Sequence, residues 1–159
     1  MIKHYRVTLL SLFVFLGLAG QSALATPQAS PKAFAGSYTI SGFSTSPTNV
    51  NRGYQGIIKI SSTGKVSGRI KSTNTTFATD GAAVSKTSRV VVTGKIAEVK
   101  KATHAGYKIL EATTKIKFSD GAAGTLAIMY PYTVKPTQMS GYGTIKDGTM
   151  KISMSVQKQ

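Results

Sequence analysis

The chain contains no cysteine, no tryptophan and only five acidic residues among 159. Without cysteine there is no disulfide framework and no thiolate ligand set, so small disulfide-stapled scaffolds are excluded and the fold must stand on packing alone. Without tryptophan, and with the tyrosines scattered, no stacking platform for nucleic-acid bases is legible. Few acids also mean few carboxylates for acid–base chemistry or metal ligation. Leucine is scarce in a revealing way: six of the eight lie in the first 25 residues, and only Leu110 and Leu126 lie beyond.

Those first 25 residues read as a segment apart. Lys3, His4 and Arg6 open a basic start, Val7 to Ala19 is an apolar run, and Ala23-Leu24-Ala25 precedes Thr26-Pro27. This is the layout of a secretory signal peptide with an A-x-A site, cleaved after Ala25. The run is shorter than the roughly 20 residues that span a bilayer. The expectation is export to the periplasm or the extracellular space. Loss of Lys3 and Arg6 lowers the formal charge from +15 to +13.

Residues 26–35 read as a short flexible leader, and 36–159 as a single domain. Beyond the signal the chain holds 11 Ile, 9 Val and 19 Thr. β-Branched side chains fit pleated strands, whereas leucine is the apolar helix former. Strict alternation recurs: Val66, Gly68 and Ile70 against Lys65, Ser67, Arg69 and Lys71; Met150, Ile152, Met154 and Val156 against Lys151, Ser153 and Ser155. A period of two with one polar face specifies half-buried antiparallel strands. Strands are expected at 37–43, 54–61, 65–72, 75–79, 89–99, 107–118, 123–134, 139–146 and 149–157, the fourth being the weakest. Lys95 to Lys101 offers a helical turn instead, since Ile96 and Val99 are three apart. Pro131 cannot donate to a ladder and implies an edge or a bulge.

The fold class that follows is all-β: an antiparallel up-and-down meander of about eight or nine strands, closed as a small barrel or strongly curled. A β-sandwich is the competing layout. Glycines recurring inside strands, at Gly56, Gly68, Gly94, Gly124, Gly141 and Gly143, mark bends or corners and favour the barrel.

The inventory for chemistry is thin. All three aspartates precede glycine, as Asp80-Gly81, Asp120-Gly121 and Asp147-Gly148. Asp-Gly supplies the positive φ of tight hairpin turns, so each aspartate reads as a turn residue standing alone, without the converging oxygens of a calcium site. His104 is the only histidine beyond the signal, and one histidine without cysteine builds no usual zinc site. There is no Gly-x-Ser-x-Gly elbow, no phosphate-cradling loop and no evident carboxylate pair. No metal, cofactor or catalytic activity is expected.

Charge is what remains. Residues 54–61 and 65–72 are joined by Ser62-Thr63-Gly64 and should pair, which lays Lys59, Lys65, Arg69 and Lys71 side by side on an outward face. Lys115, Lys117, Lys146 and Lys151 also point outward on this register. Such a surface attracts polyanions. For an exported protein these are anionic polysaccharide, lipopolysaccharide or phospholipid headgroups. Outer lysines also simply keep β-proteins soluble and unpaired at their edges. Lysine outnumbers arginine 15 to 3 beyond the signal, which predicts diffuse attraction rather than a shaped phosphate site. The second functional reading is a carrier of a small apolar ligand inside the barrel.

Overall fold

A computed structural model describes residues 29–45, 50–132 and 139–159. The signal segment, with Ala23 and Ala25, lies outside the described residues. The rest is an eight-stranded antiparallel barrel, closed in sequence order from β1 to β8. The strands are β1 Gly36–Thr45, β2 Val50–Ile60, β3 Lys65–Phe77, β4 Ala83–His104, β5 Tyr107–Phe118, β6 Ala123–Pro131, β7 Ser140–Asp147 and β8 Met150–Lys158. Closure comes from pairing of β1 with β8, Ile40 opposite Val156. The up-and-down barrel read from the alternation is therefore the fold, and the sandwich is not.

Eight strands replace nine because two expected segments are one. Residues 65–72 and 75–79 merge into β3, whose outer half pairs with the start of β4, Thr76 opposite Val84. From Ala78 to Arg89 every residue is exposed. This part of the hairpin is an arm projecting past the barrel, wet on both faces, with Thr73–Thr87 and Thr75–Ser85 hydroxyl pairs along it. Alternation fades where neither face is buried.

The segment Lys95 to Lys101 is strand throughout, not a helical turn. A bulge between Ile96 and Glu98 shifts the register against β5. One extra residue turns Ile96 and Val99 to the same side, and both pack on the core. Their three-residue spacing is thus a bulge signature. Pro131 closes β6 opposite Ile109, so its missing donor falls at a strand end in a barrel without edges.

The interior is filled. Tyr38, Ile40, Ile58, Leu110, Ile116, Leu126, Ile128, Ile145 and Ile152 are all fully buried or within 1 % of it. The inward glycines interleave with these large residues. Gly56 lies between Ile40 and Ile70, Gly68 between Ile58 and Val92, Gly124 between Ile116 and Ile145, and Gly143 between Leu126 and Met154. A Cβ on Gly56 would stand 2.6 Å from Cγ2 of Ile70, and one on Gly68 3.0 Å from Cγ2 of Ile58. Glycine here makes room for the isoleucine of the neighbouring strand. This small-against-large alternation suits a narrow barrel.

One end is plugged by the segment read as a leader. Pro31–Phe34 forms a 3-10 helix and Phe34 is fully buried. The Tyr38 hydroxyl donates to the Phe34 carbonyl at 2.7 Å and lies 3.4 Å from the Met139 sulfur. Burial pushes the Tyr38 phenol far above its ordinary pKa. From Pro31 onward, packing of the Phe34 ring overrides the local Pro/Ala composition that suggested flexibility.

Candidate functional site

The structure separates the charged residues into two regions of opposite character. The first is the barrel mouth reached by the β5–β6 and β7–β8 turns. Arg52, near the start of β2, shares its face with Tyr54 and Ile58, so alternation turns it inward. Its Nη2 donates to Asp120 at 2.9 Å and its Nη1 to Asp147, and the Tyr54 hydroxyl donates to the same Asp120 oxygen at 3.0 Å. The guanidinium also stands 5.6 Å over the Tyr54 ring, which packs against Phe118 with centroids 4.8 Å apart. Burial, with the Asp120 hydrogen bond adding to it, pushes the Tyr54 phenol up to about 12.

This strut corrects the picture of solitary turn aspartates. Gly81, Gly121 and Gly148 do carry positive φ, at 84°, 98° and 58°. Asp80 accepts from the Ala82 amide at 2.9 Å within its own turn. Asp120 keeps a longer version of that contact, its Oδ1 accepting from the Ala122 amide at 3.4 Å, but its Oδ2 and the Asp147 carboxylate meet at one arginine. Two hairpins far apart in sequence must close onto β2 before those carboxylates can meet, and turn chemistry alone does not register that. The Arg52 guanidinium stands between them. Among the described residues no three His, Asp or Glu side chains gather as ligands. His104 is exposed at the tip of the β4–β5 hairpin, opposite Tyr107.

The second region is the outer face of β2 to β5. Lys59, Lys65, Arg69 and Lys71 are all exposed on it. The register adds four more cations. Lys65, Lys95 and Lys115 stand abreast on three consecutive strands. Lys117 is opposite Thr93, and Arg89 is opposite Lys71. Like charges directly across a ladder repel, so this row costs the fold something. No carboxylate lies within 4 Å of any of these eight. The ion pairs among the described residues are the two at Arg52 and Lys100 with Glu111. Four of the five acids are committed elsewhere, Asp120 and Asp147 to Arg52, Glu111 to Lys100 and Asp80 to its turn; Glu98, exposed on β4 opposite Thr113, has no cation within 4 Å among the described residues.

Three hollows mark the face, one of about 470 Å³ bordered by Lys95, Lys115 and Lys117 and two nearer β2. Lys59 and Lys65 border one of about 520 Å³ beside Ser37 and Ser67. Arg69 and Lys71 border another of about 620 Å³ together with Arg89. The four cations expected from the sequence thus share one face but fall to two neighbouring grooves. Arg89 and Lys95 were not legible as members. Alternation with Val90 and Val92 does turn Arg89 outward. Its partner strand, however, depends on the hairpin arm, which reads as a break.

The face around β7, β8 and β1 contrasts with this one. Its outer side chains include Tyr142, Ser155 and Ser41 in one cross-strand row and Thr144, Ser153 and Phe43 in the next. The Ser41 and Ser155 hydroxyls meet at 2.8 Å. Phe43 and Tyr142 are more than half exposed, at 58 % and 59 %. The barrel is therefore apolar within and polar outside, with eight cations on one flank and mainly hydroxyls on the other, where Lys146 and Lys151 stand exposed opposite each other near the β7–β8 turn. No family model, curated protein or solved structure matches this chain.

Proposed function

We propose that this protein is a non-enzymatic binding module, exported by its N-terminal signal, that holds an anionic envelope or extracellular polymer on the outer face of β2 to β5. The observation that carries this reading is the set of eight outward cations with no carboxylate in ion-pairing range. A surface kept only for solubility gains from interspersed signs, whereas a single-sign field serves steering and capture. The apolar interior and lysine-bearing exterior are the reverse of a lipid-facing barrel. The carrier reading has less support, because isoleucine and leucine side chains already cover the inward glycines.

Retention of the purified protein on immobilised heparin, against an uncharged matrix, tests the proposal. Elution should require salt well above the physiological level of about 0.15 M. The triple variant Lys65→Gln/Lys95→Gln/Lys115→Gln should elute markedly earlier. Release of the unaltered protein below that salt level sinks the reading.

A further inference from the structure

The cationic face is not uniform, and its arginines are not placed like its lysines. Beyond residue 25 the chain has three arginines. One is locked in the mouth. The other two, Arg69 and Arg89, border the same groove on adjacent strands, with Lys71 between them in the register: Arg69 faces Val91, and Lys71 faces Arg89. Residues two apart on a strand face are roughly 7 Å apart and cross-strand partners about 5 Å, so three cationic heads can reach one small group. None of the three donates a hydrogen bond to a described residue, and none is ion-paired.

The groove has a chemistry beyond charge. Gly56, Ile57 and Ile70 also line it, Ile57 standing in register between Arg69 and Thr39, and Thr39, Gln55 and Gln159 complete the lining. The Gln159 amide donates to the Thr39 hydroxyl at 3.0 Å, which leaves the second amide hydrogen and the amide oxygen free. The volume lies within the usual range for a small-molecule site, roughly 300–1,000 Å³. Two residues on from Thr39 along β1, Ser41 shares its hydroxyl with Ser155 at 2.8 Å.

We propose that the Arg69–Lys71–Arg89 groove is a discrete subsite for a tetrahedral oxyanion ester, a sulfate or a phosphate, carried on a polyhydroxylated chain. A carboxylate offers two coplanar oxygens and is satisfied by one guanidinium fork. Three heads arriving from two strands suit a group with three free oxygens. The amides and the threonine hydroxyl opposite suit the ring hydroxyls of the chain that bears it. A bound ester also relieves the repulsion between Lys71 and Arg89. This inference rests on the polyanion reading and narrows it.

The test measures affinity for three oligosaccharide probes at fixed salt: a heparin hexasaccharide, a carboxylate-only uronate oligomer of matched charge, and a phosphorylated mannose oligomer. An ester-bearing probe should bind at least about tenfold more tightly than the carboxylate-only probe. The ester that binds better, sulfate or phosphate, names the group. Arg69→Lys/Arg89→Lys keeps the charge and should abolish the preference. Lys115→Gln/Lys117→Gln should weaken all probes alike and leave the preference intact. Equal binding of the three probes, or a preference that survives in the arginine-to-lysine variant, overturns the subsite while the cationic face stands. Failure of every probe to bind removes both readings.

Discussion

Arg52 and the pair Arg69/Arg89 differ in position and in partners, and the difference separates architecture from recognition. Arg52 turns inward and spends its charge on Asp120 and Asp147, holding three parts of the barrel together. Arg69 and Arg89 turn outward on β3 and β4 and meet no carboxylate. A cation paired inside a fold contributes to stability through its partners. One left unpaired on a like-charged face contributes to what the surface can attract. With five acids in the chain, the two demands compete for the same carboxylates, and the mouth takes two of them.

The sharpest way to break this contrast is Arg52→Met. It leaves two carboxylates facing each other in a partly buried site and should cost about 3 kcal/mol in denaturant unfolding, with heparin retention of the folded protein unchanged. A small cost would mean that the strut is ornamental. Thr114→Val comes next. Its hydroxyl is fully buried on β5 with no hydrogen-bond partner among the described residues. Replacing it with the isosteric apolar side chain should raise stability by about 1 kcal/mol, read as a higher denaturation midpoint with an unchanged slope. Lys95→Glu puts a carboxylate between Lys65 and Lys115 and should gain about 0.5 kcal/mol at low salt, fading as salt rises, while polyanion affinity falls. Arg69→Met should change stability by less than about 0.5 kcal/mol and still weaken binding; a large stability loss would place Arg69 with Arg52.

Alkaline titration separates the mouth from the surface by another route. Tyr54 has its phenol raised to about 12, so the folded state holds that proton where an unfolded tyrosine releases it near 10. The stability this represents is present below pH 10 and is lost as pH rises from 10 toward 12. The Tyr54 share of the tyrosinate absorbance should therefore appear only well above pH 10, as the fold gives way.

Much of the fold was legible because half-buried strands write a period of two. The Val66-to-Ile70 and Met150-to-Val156 runs bury the residues that the alternation selects, apart from half-buried Gly68 and Met150. Legibility failed where burial is not one-sided. The hairpin arm from Ala78 to Arg89 is wet on both faces, the bulge at Ile96 broke the period, and Phe34 is buried by a surface that no local pattern announces. The candidate face was half legible for the same reason. Lys59, Lys65, Arg69 and Lys71 come from one short hairpin whose turn fixes its register. Arg89 and Lys95 join them across a long hairpin whose register only the folded ladder sets.

The sequence by itself determined an all-β meander, its lysine-bearing outer faces, and the absence of thiol chemistry, because composition and period are local properties. Only the tertiary structure decided that the barrel closes, that inward glycines make room for isoleucines of neighbouring strands, and which charges meet. Those outcomes depend on contacts between strands remote in the chain. Asp120 and Asp147 are 27 residues apart and share one guanidinium because closure brings their turns to the same mouth.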